Sequence, residues 1–117
     1  MIMDHKLKLM VVDDSPLFRT WLIHSLSADD RFQVVGYAVN ALDAQEKIPL
    51  LQPDMLTLDI EMPGMSGIDF LKQLLPVHPI PVILVSSLNL RVFDALEAGA
   101  VDFVRKPDEA RSEEHTS

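Results

Sequence analysis

The sequence predicts an α/β domain built around a doubly wound sheet of five parallel strands. Short apolar runs alternate along the chain with segments of helical periodicity, which is typical of parallel strands joined by right-handed crossovers. The apolar runs are almost uninterrupted, as expected for strands that are covered on both faces. Hydrophobic residues make up 48% of the 117-residue chain, which is enough to form the core of one domain.

Five strands are expected where apolar runs stop at polar residues or at turns. They lie at 7–12, 32–39, 55–58, 82–85 and 101–104. The third run closes on Asp59, the fourth on Ser86 and the fifth on Lys106. We therefore expect polar side chains at the carboxyl ends of several strands, where ligands bind in such sheets.

Four helices are expected between the strands, and most have a start or stop signal. Ser15 and Pro16 place a capping hydroxyl and a helix-initiating proline at the start of the first helix. Pro49 is expected to end the second helix early or to distort it. Pro76 stops the third helix, and Gly99 is a typical stop for the fourth. The helices are expected at 16–28, after Asn40, at 68–75 and at 92–98.

Acidic, hydroxyl and amino side chains follow four of the strands in a pattern that indicates phosphoryl chemistry. The set consists of Asp13, Asp14, Asp59, Ser86, Ser87 and Lys106. Three converging carboxylates repel one another unless a hard cation lies among them, and Mg²⁺ prefers oxygen ligands. A lysine and a hydroxyl group can contact phosphoryl oxygens. Asp59, which lies apart from the acidic pair, can then act as the nucleophile that forms an aspartyl-phosphate.

The composition argues against several other classes of function. The formal net charge of −8, from 18 acidic and 10 basic residues, disfavours nucleic-acid binding. The chain has no cysteine, so it has neither disulfides nor a thiolate metal site. No apolar run has the length of a membrane span, and the N-terminus lacks the apolar core of a signal peptide. We therefore expect no membrane partner and a cytoplasmic location.

Four motifs, DDSP, LTLDIEMPGMSG, PVILVSS and AGAVDFVRKP, occur in an order and spacing that resemble response-regulator receiver domains. The resemblance covers about residues 6–107, and the longer stretches LTLDIEMPGMSGIDFL and ALEAGAVDFVRKP look most like the receiver of chemotaxis protein-glutamate methylesterases. It implies the flavodoxin-like receiver fold, phosphorylation by a chemotaxis-type histidine kinase, and control of an output domain. That output domain is expected to be the methylesterase. Its catalytic residues are not expected in this chain, which is then no enzyme beyond its own phosphorylation and dephosphorylation.

The resemblance also implies roles for the acidic residues. Asp59 corresponds to the phosphoacceptor, and Asp13 and Asp14 bind Mg²⁺ together with Asp59. The backbone carbonyl of Glu61 is expected to complete the protein ligands of the metal.

On the other side of the site, the resemblance implies residues that respond to the phosphoryl group. Ser86 corresponds to the switch hydroxyl, although the neighbouring Ser87 could donate instead. Lys106 corresponds to the phosphate-binding lysine, before a proline junction at Pro107 that is normally cis. Phe103 corresponds to an aromatic residue whose rotamer follows the switch, or it simply packs in the core.

Two alternative functions remain open from the sequence. A Mg²⁺-dependent phosphohydrolase with an aspartyl nucleophile would also use acidic strand ends, but it usually carries its nucleophile and acid–base as DxD, whereas Asp59 is followed by IEM. A stand-alone adaptor receiver without an output domain is the second alternative. The sequence downstream in the gene would distinguish the adaptor from the methylesterase.

Two segments depart from the receiver pattern. The chain between Ser87 and Ala95 is about one helical turn shorter than in comparable receivers, in the segment that such domains remodel on phosphorylation. The segment 108–117 is polar where a fifth amphipathic helix would be expected, so that helix is predicted to be missing. Read back into nucleotides, AGATCGGAAGAGCACACGTCT encodes RSEEHTS and matches the start of a common sequencing adapter. We therefore expect 111–117 to be non-biological.

Overall fold

The computed structural model describes residues 6–87 and 92–107. Nine helices and strands alternate along these residues. They are β1 (Leu7–Val12), α1 (Pro16–Ser27), β2 (Phe32–Ala38), α2 (Ala41–Leu51), β3 (Met55–Asp59), α3 (Gly67–Leu74), β4 (Val82–Ser86), α4 (Val92–Glu97) and β5 (Asp102–Arg105).

The five strands form a single parallel sheet in the order β2-β1-β3-β4-β5, which confirms the predicted fold class. β1 and β3 lie in the interior of this sheet, whereas β5 is an edge strand. Because all strands run in the same direction, their carboxyl ends meet at one edge. The side chains that follow β1, β3 and β5 are thereby brought to the same side of the molecule.

The main core lies between one face of the sheet and the helices α2, α3 and α4. Alternate residues of β1, β3 and β4 point into it and are fully buried, as a doubly covered parallel sheet requires. The largest fully buried apolar side chains of this cluster are Met10, Leu56, Leu58, Ile60, Leu71 and Leu84. This packing fixes the strand ends on which the candidate site depends.

The element bounds agree with the sequence predictions to within about two residues, and α2, for which no end was predicted, extends two residues beyond Pro49. Pro49 does not end this helix, which continues to Leu51 and is capped by Gln52 in the left-handed conformation. Pro49 lacks only its own N–H, so the residues that follow it can still donate to the preceding turn. The backbone N–H of Gln52 donates to the carbonyl of Ile48 at 2.8 Å, and Ile48 is buried, so the last turn persists.

The predictions for the C-terminal region lie largely outside the described residues. No helix follows β5 within them, and the segment 108–117 is not part of the described chain. The shortened segment before Ala95 also falls mostly on 88–91, outside the described ranges. Among the helices of residues 6–87 and 92–107, none has the length and apolar character needed to cross a membrane.

Candidate functional site

Three carboxylates converge at the carboxyl edge of the sheet. Asp13 and Asp14 follow β1, and Asp59 is the last residue of β3. One carboxylate oxygen from each of them lies within 4.8 Å of the others. Asp13 and Asp59 are each 1% exposed, whereas Asp14 faces solvent. The structure therefore brings together the acidic residues that the sequence singled out.

Asp13 is held in place by the turn between β1 and α1. Its backbone N–H donates to the carbonyl of Ala38 on β2 at 3.0 Å. Its carboxylate oxygen Oδ1 accepts a hydrogen bond of 2.8 Å from the backbone N–H of Ser15, the N-cap of α1. The guanidinium of Arg19 donates to the Asp13 carbonyl, also at 2.8 Å. These contacts fix both the backbone and the carboxylate of Asp13.

Asp59 is held through the backbone that follows it. The N–H of Ile60 donates to the carbonyl of Val85 on β4 at 2.9 Å, and the N–H of Gly67 donates to the carbonyl of Ile60 at 2.8 Å. At Gly67, a Cβ atom would lie 2.2 Å from the carbonyl oxygen of Asp59. Only glycine therefore allows α3 to begin directly against the end of β3.

The carboxylate of Asp59 is buried with unsatisfied hydrogen-bonding capacity. Neither of its oxygens accepts a hydrogen bond from the described residues. Burial, and then the negative charge of Asp13, raise the pKa of Asp59 to about 8. Burial also raises the pKa of Asp13, chiefly because its charged form loses hydration.

Such a cluster fits a hard divalent cation. Each carboxylate presents oxygen ligands, and buried oxygens without hydrogen-bond partners have lone pairs available for coordination. A bound cation would also offset the burial and the repulsion from Asp13 that raise the pKa of Asp59. Asp14, which is exposed, leaves an open side for water or a phosphoryl oxygen, as magnesium sites commonly require.

Lys106 approaches this cluster from the end of β5. Its Nζ atom lies 3.3 Å from Oδ2 of Asp13 and 3.5 Å from Oδ2 of Asp59, and its side chain is 13% exposed. The same ammonium group lies over the ring of Phe18, 4.6 Å from the ring centroid. The backbone N–H of Lys106 donates to the carbonyl of Ser86 at 2.7 Å, which extends the pairing of β5 with β4.

The expected cis junction at Pro107 is not found. No peptide bond in residues 6–87 and 92–107 is cis, so this part of the prediction is wrong for the structure. The trans isomer is the intrinsically favoured form of a bond that precedes proline. The position of the Lys106 ammonium group in the site agrees with the prediction all the same.

A second set of contacts links β3 and β4 and was missed by the sequence analysis. Ser86 is fully buried, and its hydroxyl donates to Oε2 of Glu61 at 2.7 Å. The backbone N–H of Ser87 donates to Oε1 of the same carboxylate at 3.4 Å. From the sequence, only the backbone carbonyl of Glu61 was expected to take part in the site. The contact follows from the pairing of Asp59 with Val85, which brings the residues that follow both strands side by side.

Phe103 lies in the middle of β5, where it pairs with Leu84 of β4. It is partly buried and packs against the main core. In this structure the residue therefore has the packing role that was its alternative interpretation, and its role in switching remains a prediction.

A doubly wound parallel sheet with three aspartates at its carboxyl edge and a lysine after β5 is the arrangement expected of a receiver domain. This chain belongs to the response regulator receiver domain family, whose family model matches residues 9–115.

Among individual proteins, the chain is similar to chemotaxis methylesterases. It is 50% identical over 107 residues to protein-glutamate methylesterase/protein-glutamine glutaminase 2 of Syntrophomonas wolfei, covering 92% of this chain and 31% of that protein. Protein-glutamate methylesterase/protein-glutamine glutaminase of Syntrophotalea carbinolica is 50% identical over 109 residues, which cover 90% of this chain and 31% of that protein. The chain thus spans about a third of the length of these relatives.

A solved structure shows the same likeness. The response regulator domain of Thermotoga maritima CheB superposes with a TM-score of 0.82 and is 41% identical. The match covers 88% of this chain and 80% of the solved one. The receiver fold of a CheB-like response regulator is therefore established for the described residues.

Proposed function

We propose that residues 6–107 form the phosphoacceptor domain of a cytoplasmic chemotaxis response regulator, phosphorylated on Asp59 by a histidine kinase in the presence of Mg²⁺. The observation that carries this proposal is the state of the Asp59 carboxylate. It is buried at the end of an interior strand, accepts no hydrogen bond from the described residues, and lies beside two further carboxylates and a lysine. Such a group is available to bind a cation and to attack phosphorus.

In the proposed reaction, an oxygen of Asp59 attacks the phosphorus of a phosphohistidine. An acyl-phosphate O–P bond forms, and the P–N bond to the imidazole of the kinase breaks, so the electron pair returns to the imidazole nitrogen. Mg²⁺, held by Asp13, Asp14, Asp59 and the backbone carbonyl of Glu61, would supply the charge neutralisation that phosphoryl transfer requires.

Lys106 is proposed to bind the transferred phosphoryl group. Its ammonium group already lies 3.3 to 3.5 Å from the carboxylates of Asp13 and Asp59, so a phosphoryl oxygen on Asp59 would be within its reach. A cation at this position stabilises the added negative charge, and it contacts the phosphoryl group in only one of the two states.

Ser86 is proposed as the switch hydroxyl. It donates to Glu61 in this structure, so it has to exchange this carboxylate for a phosphoryl oxygen when Asp59 is modified. Ser87 is the weaker candidate, because its observed contact to Glu61 is made through the backbone. Phe103 would follow this exchange by a change of rotamer.

The output of the signal is proposed by analogy with the relatives. Two proteins named as protein-glutamate methylesterases are 50% identical to this chain, which spans only 31% of each. We therefore propose that the domain controls a methylesterase output domain and carries no hydrolase activity itself. An adaptor role without an output domain is distinguished by the coding sequence that follows this segment.

The phosphohydrolase alternative has less support from the site. An acid–base group two residues after the nucleophile would be Glu61, but its carboxylate accepts hydrogen bonds from Ser86 and Ser87. Turnover of a phosphate ester by the purified chain would favour this alternative.

The proposed function is tested by incubation of the chain with Mg²⁺ and a small phosphodonor, followed by intact mass measurement. We expect one added phosphoryl group, which a chelator suppresses and Asp59→Asn abolishes. Asp54→Asn is the matched control, because Asp54 is an exposed aspartate that precedes β3 at the opposite edge of the sheet. Modification that persists in Asp59→Asn would refute the assignment of the phosphoacceptor.

A further inference from the structure

The ammonium group of Lys106 has an aromatic partner in addition to its two carboxylates. It lies over the ring of Phe18, 4.6 Å from the centroid, which is within the range of a cation–π interaction. Phe18 is only 4% exposed, and the Lys106 side chain is 13% exposed. Cation–π contacts gain strength when both partners are shielded from water, so this contact is well placed to position the lysine.

Phe18 is itself positioned by the turn that holds the acidic residues. Its backbone N–H donates to the hydroxyl of Ser15, the N-cap of α1, at 3.4 Å. The N–H of Ser15 in turn donates to the carboxylate of Asp13. The ring also packs against Trp21 on the next turn of α1, with their centroids 5.6 Å apart. One helix start therefore places both an anionic partner and an aromatic partner of Lys106.

The two kinds of partner differ in what happens to them during the proposed reaction. The carboxylates of Asp13 and Asp59 are the proposed ligands of Mg²⁺, and Asp59 also accepts the phosphoryl group. Both ion pairs of Lys106 are therefore weakened when the site is loaded. The face of the Phe18 ring binds neither a metal nor a phosphoryl group, so its attraction for the ammonium group remains.

We propose that Phe18 is the positioning residue for Lys106. The ring of Phe18 holds the ammonium group of Lys106 at the acidic cluster while the carboxylates bind the metal and the phosphoryl group. This inference rests on the proposed function, and it adds a residue on α1 to the set that prepares phosphoryl binding. An ammonium group that is already in place need not be ordered when the phosphoryl group arrives, so less free energy of binding is lost.

The contact itself is tested without any phosphoryl group. Protons above an aromatic ring are shielded by its ring current, so the Cε protons of Lys106 should resonate upfield of their usual position. We expect this shift in the wild-type chain and in Phe18→Tyr, which keeps an aromatic face. It should be lost in Phe18→Leu and in Phe18→Met, the second of which preserves more of the side-chain volume. An unshifted Lys106 signal in the wild type would overturn the inference.

The functional consequence is tested by titration with beryllofluoride, a phosphoryl mimic, in the presence of Mg²⁺. We expect Phe18→Leu to weaken binding about fivefold, the range expected when one long side chain has to be ordered on binding. In the Lys106→Ala background, Phe18→Leu should cause no further loss, because the residue acts through the lysine.

Phe70→Leu is the matched control for loss of packing. Phe70 lies on α3, is 3% exposed, and belongs to the main core rather than to the surroundings of Lys106. We expect this variant to bind the mimic as the wild type does. Equal weakening by Phe18→Leu and Phe70→Leu, or an undiminished effect of Phe18→Leu without Lys106, would overturn the inference. Failure of the wild-type chain to bind beryllofluoride would instead contradict the proposed function.

Discussion

The two sides of the candidate site are built differently. On one side, Asp13 and Asp59 end interior strands and are fixed through their backbones and the turns that follow. On the other side, the Ser86 hydroxyl and the Lys106 ammonium group are held by contacts to carboxylates, and Lys106 follows the edge strand β5, of which three of the four residues are exposed.

In the proposed function, Asp13 and Asp59 form the acidic side, which receives the phosphoryl charge, and Ser86 and Lys106 form the responding side. The acidic side is held by backbone hydrogen bonds that a phosphoryl group does not replace. The contacts of Ser86 with Glu61, and of Lys106 with the carboxylates, can be exchanged for phosphoryl oxygens. A change of state at the acidic side is therefore expected to be read out by β4 and β5.

The largest expected effect concerns the stability of the acidic side. The pKa of Asp59 is about 8 in the folded chain and 3.8 when unperturbed, mainly because of burial. The carboxyl group of Asp59 therefore binds its proton more tightly in the folded state than in the unfolded state. This proton stabilises the folded state fully below pH 3.8, and the stabilisation is lost as the pH rises toward 8. In chelator, Asp59→Asn should raise the free energy of unfolding at pH 8 by on the order of 3 kcal/mol.

Urea titrations of the wild type and of Asp59→Asn between pH 5 and pH 8 measure this effect. The two curves should diverge as the pH rises, while the exposed control Asp54→Asn should follow the wild type. Parallel curves would show that the charge of Asp59 does not lower the free energy of unfolding.

Removal of Lys106 tests the responding side. Lys106→Ala should still be phosphorylated, because the nucleophile and the proposed metal ligands remain. It should lose the phosphorylation-dependent conformational change, since the contact that distinguishes the two states is absent. The measurement is the change in NMR signals near Phe103 on addition of phosphodonor. A wild-type response in this variant would show that the lysine does not transmit the signal.

Removal of Asp14 sharpens the comparison within the acidic side. This residue is exposed and contributes one charged ligand to the cluster. Asp14→Ala should weaken Mg²⁺ binding about tenfold, because two carboxylates remain for a hard cation. Calorimetric titration with Mg²⁺ measures the loss of affinity. The affinity of Asp14→Asn, which keeps an oxygen ligand, should lie between those of Asp14→Ala and the wild type. Unchanged affinity in Asp14→Ala would remove this residue from the ligand set.

The smallest effect is expected from the contact between Glu61 and Ser86. Glu61→Gln keeps the size of the side chain but replaces the charged acceptor of the serine hydroxyl by a neutral one. A charge-assisted hydrogen bond is about twice as strong as a neutral one, so the variant should favour the responding state by about 1 kcal/mol. Beryllofluoride titration of the variant should show tighter binding, and this gain should vanish in the Ser86→Ala background.

The sequence was sufficient to predict the fold and the acidic side of the site. Strand ends are marked by apolar runs that stop at acids, and parallel strands bring these ends to one edge. Asp13, Asp14 and Asp59 could therefore be grouped before any distance was known. Lys106 could be added for the same reason, as the residue that follows the last strand.

The side-chain contacts of the responding side could not be predicted in the same way. The bond between Glu61 and Ser86 depends on the register of β3 with β4 and on the rotamers of both residues. The position of Phe18 under the ammonium group of Lys106 depends on how α1 packs, which no local pattern specifies. For Pro49, an early end or a distortion of α2 was expected, and the helix continues for two residues beyond it.

The loop between β3 and α3 also limits how this sequence can change by mutation. Gly64 in this loop and Gly67 at the first position of α3 are constrained in different ways. Gly64 has a positive φ of 82° with nothing within 4 Å of a Cβ atom, so asparagine, which tolerates this conformation, is an acceptable replacement. At Gly67, even a methyl group would meet the carbonyl oxygen of Asp59 at 2.2 Å, and backbone cannot move aside as a flexible side chain can. Position 67 therefore tolerates fewer substitutions than position 64, although no side chain at position 67 takes part in the proposed chemistry.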